Sequence, residues 1–109
     1  MKKEANAVLT NENVIEIFQE YLKQDQEIEV VKTSRGYLKI EWDEHSPCYN
    51  EVYLCATPEE LFEQLLGDFK TYQELMLTKG KREVTAEDDA LVEQLCQPYY
   101  EKRKELEEL

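Results

Sequence analysis

The chain is poor in the residues on which most recognisable chemistry is built. It holds one histidine, three cysteines and three glycines among 109 residues. With His45 alone, no Ser/His/Asp set and no metal-protease helix can be read. Scattered glycines leave no phosphate-cradling loop. Cys48, Cys55 and Cys96 are odd in number and widely spaced, which fits reduced thiols in a cytoplasm better than a disulfide framework. No apolar run approaches the length of a membrane span, and the opening MKKEANAVLT has no apolar core of signal-peptide length. Basic residues are also scarce: 13 Lys and Arg stand against 25 Asp and Glu, a net charge of −12. Phosphates would be repelled, so direct binding to nucleic acid or an anionic membrane is disfavoured. A protein partner with a basic surface is the expectation.

What is present is a domain's worth of periodic sequence. A chain of this length fits one domain, residues 1–109, with a modest core. Residues 1–9 and about 101–109 are expected to fray or project. Thr10 or Asn11 can cap a first helix to about Lys23, with Val14, Ile17, Phe18, Tyr21 and Leu22 on its apolar face. Glu27 to Thr33 reads as a strand, and Ser34-Arg35-Gly36 as a tight hairpin turn, Gly36 supplying a positive φ. In the second strand Leu38, Ile40 and Trp42 alternate with Tyr37, Lys39 and Glu41. In the third, Val52, Leu54 and Ala56 alternate with Glu51, Tyr53 and Cys55. Period-two alternation implies a sheet covered on one side and wet on the other. The apolar set is expected to face the helices, with Trp42 in the core.

Thr57-Pro58-Glu59-Glu60 is a helix start with a cap, a first-turn proline and a capping-box glutamate. An apolar stripe from Leu61 to Met76 follows, with Gly80 as the stop. Gly67 falls mid-helix on the polar side, where it permits close backbone approach or divides the helix. Thr85 to Asp88 starts a last helix, which Pro98 should kink or split. The expected fold is α+β: an N-terminal helix, a three-stranded antiparallel meander and two C-terminal helices.

Three patterns carry functional expectations. Tyr37, Tyr49 and Tyr53, with Glu41 and Glu51, are read as an outward sheet face, suited to partner binding because tyrosine joins contact area to a polar tip. Ordinary cross-strand pairing, or burial under the last helix, are the alternatives for that face. Glu12, Glu16 and Glu20 form a row at i, i+4, i+8, with carboxylates roughly 6 Å apart along the helix. Between Asn11 and Phe69 there are 14 acids and 4 bases, a local net of −10. Such a surface can imitate a row of phosphates, or simply be solvated. His45 and Cys48 stand at a spacing compatible with two zinc ligands or a thiol site, but lack the second pair that a structural zinc needs.

In the order of its elements and its acidity the chain is similar to some small phage anti-CRISPR proteins. The likeness is one of topology and charge, and it implies an acidic inhibitor of a basic nucleic-acid-binding protein. The leading expectation is a small cytoplasmic, non-enzymatic adaptor or regulator without a cofactor. The mimic stands second, and the His45/Cys48 site third.

Overall fold

The computed structural model of the chain describes residues 9–43 and 48–108. Its elements are α1 (Asn11–Ile17), α2 (Gln19–Gln24), β1 (Ile28–Thr33), β2 (Gly36–Trp42), β3 (Tyr49–Cys55), α3 (Pro58–Thr78) and α4 (Ala86–Glu107). The fold is α+β, with an antiparallel meander in the order β1-β2-β3.

Local chemistry explains the helix boundaries. Thr10 Oγ1 accepts from the Asn13 N–H at 3.1 Å, and Thr57 Oγ1 from the Glu60 N–H at 3.2 Å. Glu60 reaches back to the Ala56 N–H rather than that of Thr57. At α4 the box is complete: Thr85 and Asp88 exchange hydrogen bonds, and Arg82 donates to both Asp88 oxygens at 2.6 and 3.2 Å. Arg82 and the Thr85 N–H hold the Asp88 carboxyl well below the usual carboxylate range. α3 stops as Lys79 and then Gly80 turn left-handed, at φ 55° and 67°.

Two boundaries depart from expectation. The N-terminal helix is interrupted at Phe18 (φ −98°, ψ 10°), dividing α1 from α2. At this break the Phe18 ring is buried, stacked on Tyr99 at 4.6 Å and edge-on to Phe62 at 5.3 Å. α4 runs through Pro98 as one helix instead of splitting. Its far end is held too, with the Arg103 guanidinium 4.8 Å from the Phe62 ring centre and Leu106 against the core. α3 likewise passes unbroken through Gly67, around which a Cβ would meet nothing within 4 Å. Gly36 is different. It has φ 132°, and a Cβ there would lie 2.8 Å from the Cys55 carbonyl oxygen, so only glycine fits this turn.

The core lies largely among the helices. Val14, Ile17, Phe18 and Tyr21 meet Leu61, Phe62, Leu65, Leu66 and Phe69 of α3, and Val92 and Cys96 of α4. α4 packs on α3 and α1, while α3 lies against β2 and β3.

The sheet is turned the opposite way from the sequence expectation. Tyr37, Lys39 and Cys55 are buried on the helix side. Register puts Tyr37 opposite Cys55, Lys39 opposite Tyr53 and Glu41 opposite Glu51 on that side. Leu38 with Leu54, and Ile40 with Val52, therefore share the other face, joined by Val31 across from Leu38. Trp42 is on this open face, not in the core; its indole N–H donates to Glu29 at 2.8 Å. The reason is that the helices close their own apolar core, leaving the sheet to add mainly Ile28, Tyr37 and Cys55.

Three outcomes follow for stability, all measurable by urea unfolding. Trp42→Ala should cost about 1–2 kcal/mol, the loss from a half-exposed site with one hydrogen bond. Leu65→Ala, in the helical core, should cost about 2–5 kcal/mol. Gly67→Ala should stabilise the protein by about 0.5–1 kcal/mol, since helix propensity improves and nothing is displaced.

Candidate functional site

The residues singled out in the sequence do not form one surface. Tyr37 is buried, and its hydroxyl donates to Glu12 Oε2 at 2.7 Å, tying β2 to α1. That bond lowers the Glu12 carboxyl and raises the Tyr37 phenol from their ordinary values. The Tyr37 bond is to α1, and α3 is the helix that packs on β2. Tyr53 is exposed on the helix side of edge strand β3. Tyr49, 62% exposed, lies opposite Trp42 across an irregularity in the β2–β3 ladder, and so belongs to the open face. The three tyrosines are thus divided between both sides of the sheet.

The acidic row is divided as well. Glu12 serves Tyr37, Glu20 pairs with Lys23 at 3.5 Å, and Glu16 borders a shallow hollow shared with Lys102 and Leu106. Glu41 and Glu51 face one another across β2 and β3 on the helix side. Between them and α3 sits Lys39, 1% exposed, with its ammonium 3.2 Å from Asp68 and 3.5 Å from Glu51. Lys39 donates to Asp68 Oδ1 at 3.3 Å, while Oδ2 accepts no hydrogen bond. Burial raises the Asp68 carboxyl, opposed by the attraction of Lys39. A cavity of about 320 Å³ beside this pair is lined by Asp25, Glu27, Glu41, Asp68 and Tyr72. Asp25 is engaged internally, accepting from the Tyr21 hydroxyl at 2.7 Å.

Among the described residues, no group of three His, Cys, Asp or Glu side chains is placed to share a metal ion. Cys48 is exposed, while Cys55 and Cys96 are buried, and burial raises both of their thiols. His45, with the rest of residues 44–47, lies outside the described residues.

The surface that the sequence reading missed is the open face. Val31, Leu38, Ile40 and Trp42 are half-buried there, and Val52 and Leu54 are 39% and 43% exposed. No described element lies on it. Glu29 is the one charged residue among the paired positions of this face, and its carboxylate already accepts from Trp42. The signal was present in the alternation, but alternation does not say which face turns inward.

Comparison with known protein families, curated proteins and solved structures gives no match.

The Lys39–Asp68 pair can be tested directly. Lys39→Met should destabilise the protein by about 3–5 kcal/mol at pH 7, because it strands a buried carboxylate. Lys39→Met with Asp68→Asn should recover most of that loss. A raised folded-state carboxyl favours the protonated form, so Asp68 opposes folding increasingly as pH rises through its folded value. The Lys39→Met variant should therefore approach wild-type stability as pH is lowered toward the ordinary carboxylate range. Denaturant titrations at several pH values check both statements.

Proposed function

We propose that the chain is a small acidic, non-enzymatic adaptor or regulator that binds a protein on the open face of its sheet. The observation that carries this reading is an apolar face that no described element covers, with one charged residue among its paired positions, in a chain that is 35% charged overall. Contiguous exposed apolar surface of this kind marks contact sites more often than isolated exposed residues do. Tyr49 and Trp42 supply the aromatic anchors that interfaces favour. The net charge of −12 favours a partner with a basic surface. No described helix is long and apolar enough to cross a membrane. A cytoplasmic location, where free thiols persist, accords with the three free cysteines.

The acidic mimic remains the second reading, but the open face supports docking more than the helix row supports mimicry. Glu12 is held by Tyr37 and Glu20 by Lys23, so the row is partly spent within the chain. The third reading, a thiol or metal site at His45 and Cys48, rests on the sequence spacing, since His45 lies outside the described residues.

The test is retention of one protein from the source lysate by tagged wild type, followed by titration with that protein purified. Val31→Lys and Ile40→Lys alter the open face without touching the helical core. Each should weaken binding by about 30-fold, the equivalent of losing a 2 kcal/mol anchor. Unchanged affinity in both variants, with circular dichroism matching wild type, would remove the open face from the function.

A further inference from the structure

The outer edge of β3 pairs with no described strand, and its backbone chemistry limits what could be held there. The β1–β2 hairpin closes at Thr33 and Gly36, and the Trp42 N–H donates to the Glu27 carbonyl at 2.7 Å. Antiparallel ladders alternate, so Gly36, Leu38, Ile40 and Trp42 bond toward β1, while Tyr37, Lys39 and Glu41 bond toward β3. The Asp43 N–H, donating to the Cys48 carbonyl at 2.9 Å, continues the same alternation. The partners on β3 are Cys55, Tyr53 and Glu51. Val52 and Leu54 therefore direct their N–H and C=O groups away from the sheet, at an edge that no described element covers. Their side chains are on the open face.

Folded proteins commonly protect such edges with lysine, proline or a covering segment. β3 reads YNEVYLC and has neither lysine nor proline; the opposite edge, β1, has Lys32. The one charge on β3 is Glu51, whose side chain is 61% exposed. It shares a single ammonium, that of Lys39, with Asp68, and it faces Glu41 across the ladder. Opposed like charges are unfavourable in a sheet, and one ammonium does not balance three carboxylates. A cation placed beside Glu51 would relieve this imbalance.

We infer that the β3 edge takes an extended segment of another protein as a fourth strand, with apolar residues beside Val52 and Leu54 and lysine or arginine beside Glu51 and Tyr53. Main-chain hydrogen bonds supply the attachment, and alternate side chains supply the selectivity. Tyr53 offers its ring to the second cation. This deepens the protein-binding reading and rests on it. A second copy of the chain is the poorer occupant. Its charge of −12 opposes association. Three strands about 4.8 Å apart, rising about 3.3 Å per residue over six or seven residues each, outline a face of roughly 320 Å². A stable dimer buries about 800 Å² on each partner.

The probe is a capped peptide alternating valine with lysine, about the seven-residue length of β3, titrated into isotope-labelled protein. Amide hydrogen exchange at Val52 and Leu54 should slow saturably, and more weakly at high salt. A valine–glutamate peptide of the same length should give no protection. Val52→Pro removes an edge N–H without breaking the β2–β3 ladder, and should weaken peptide binding about tenfold or more. Ile40→Lys, set back from the edge, should leave peptide binding within about threefold while weakening the protein partner, so the edge and the face are judged separately. No protection at Val52 and Leu54 overturns the inference and leaves the open-face reading standing. Equal binding of both peptides overturns the selectivity. Protection that grows with protein concentration alone assigns the edge to a second copy and overturns the inference as well.

Discussion

The buried ammonium of Lys39, held between Asp68 of α3 and Glu51 of β3, pins the sheet in the facing that the self-filled helical core permits. Side chains on a strand alternate, so fixing Lys39 inward places Leu38, Ile40 and Trp42 outward. The same constraint sends Tyr37 and Cys55 toward the helices and Val52 and Leu54 to the surface. A buried ion pair roughly breaks even against an apolar replacement, because desolving both charges offsets their attraction. The stability of the domain therefore resides mainly in the helical core, and the pair contributes orientation. The Tyr37–Glu12 bond acts in the same sense on α1, where a neutral donor meets a carboxylate.

Local signals made much of the fold legible in advance. Thr57, Pro58 and Glu60 mark the start of α3, and Thr85 with Asp88 marks that of α4, because caps satisfy backbone groups within one turn. Gly36 announced its turn because the backbone there needs a positive φ. Helix and strand positions followed from their periods. The facing of the sheet did not follow, because both stripes of β2 are mixed: one holds Leu38, Ile40 and Trp42, the other Tyr37, Lys39 and Glu41. The rule that apolar residues turn inward fails when helices fill their core with their own Phe, Leu and Tyr side chains. Phe18, where the first helix breaks, packs on Tyr99 and Phe62, distant in sequence, and no window around it reveals these contacts.

The candidate site was legible only in part. Its element was identified, since β2 and β3 were singled out, but the chosen side was that of Tyr37 and Tyr53 instead of Ile40 and Val52. Tyr49 is the exception: the irregularity next to Trp42 carries it to the open face. Acidity was visible from composition, yet its division between internal partners and solvent required the fold. Glu12 and Asp68 are structural carboxylates, while Glu51 faces both the buried lysine and the solvent. That dual position brings the charge of the chain to the edge of its apolar surface.

The facing of the sheet underlies the proposed docking surface, and solvent contact of its methyl groups reports that facing directly. Paramagnetic broadening by a soluble, uncharged gadolinium chelate, read on methyl resonances of the free protein, distinguishes the two orientations. The account predicts strong broadening at Val52 and Leu54, intermediate broadening at Val31, Leu38 and Ile40, and little at Leu61, Leu65 and Val92. Methyl groups of Leu38, Ile40 and Val52 as protected as those of Leu61 and Leu65 would place the apolar stripe under the helices and contradict it.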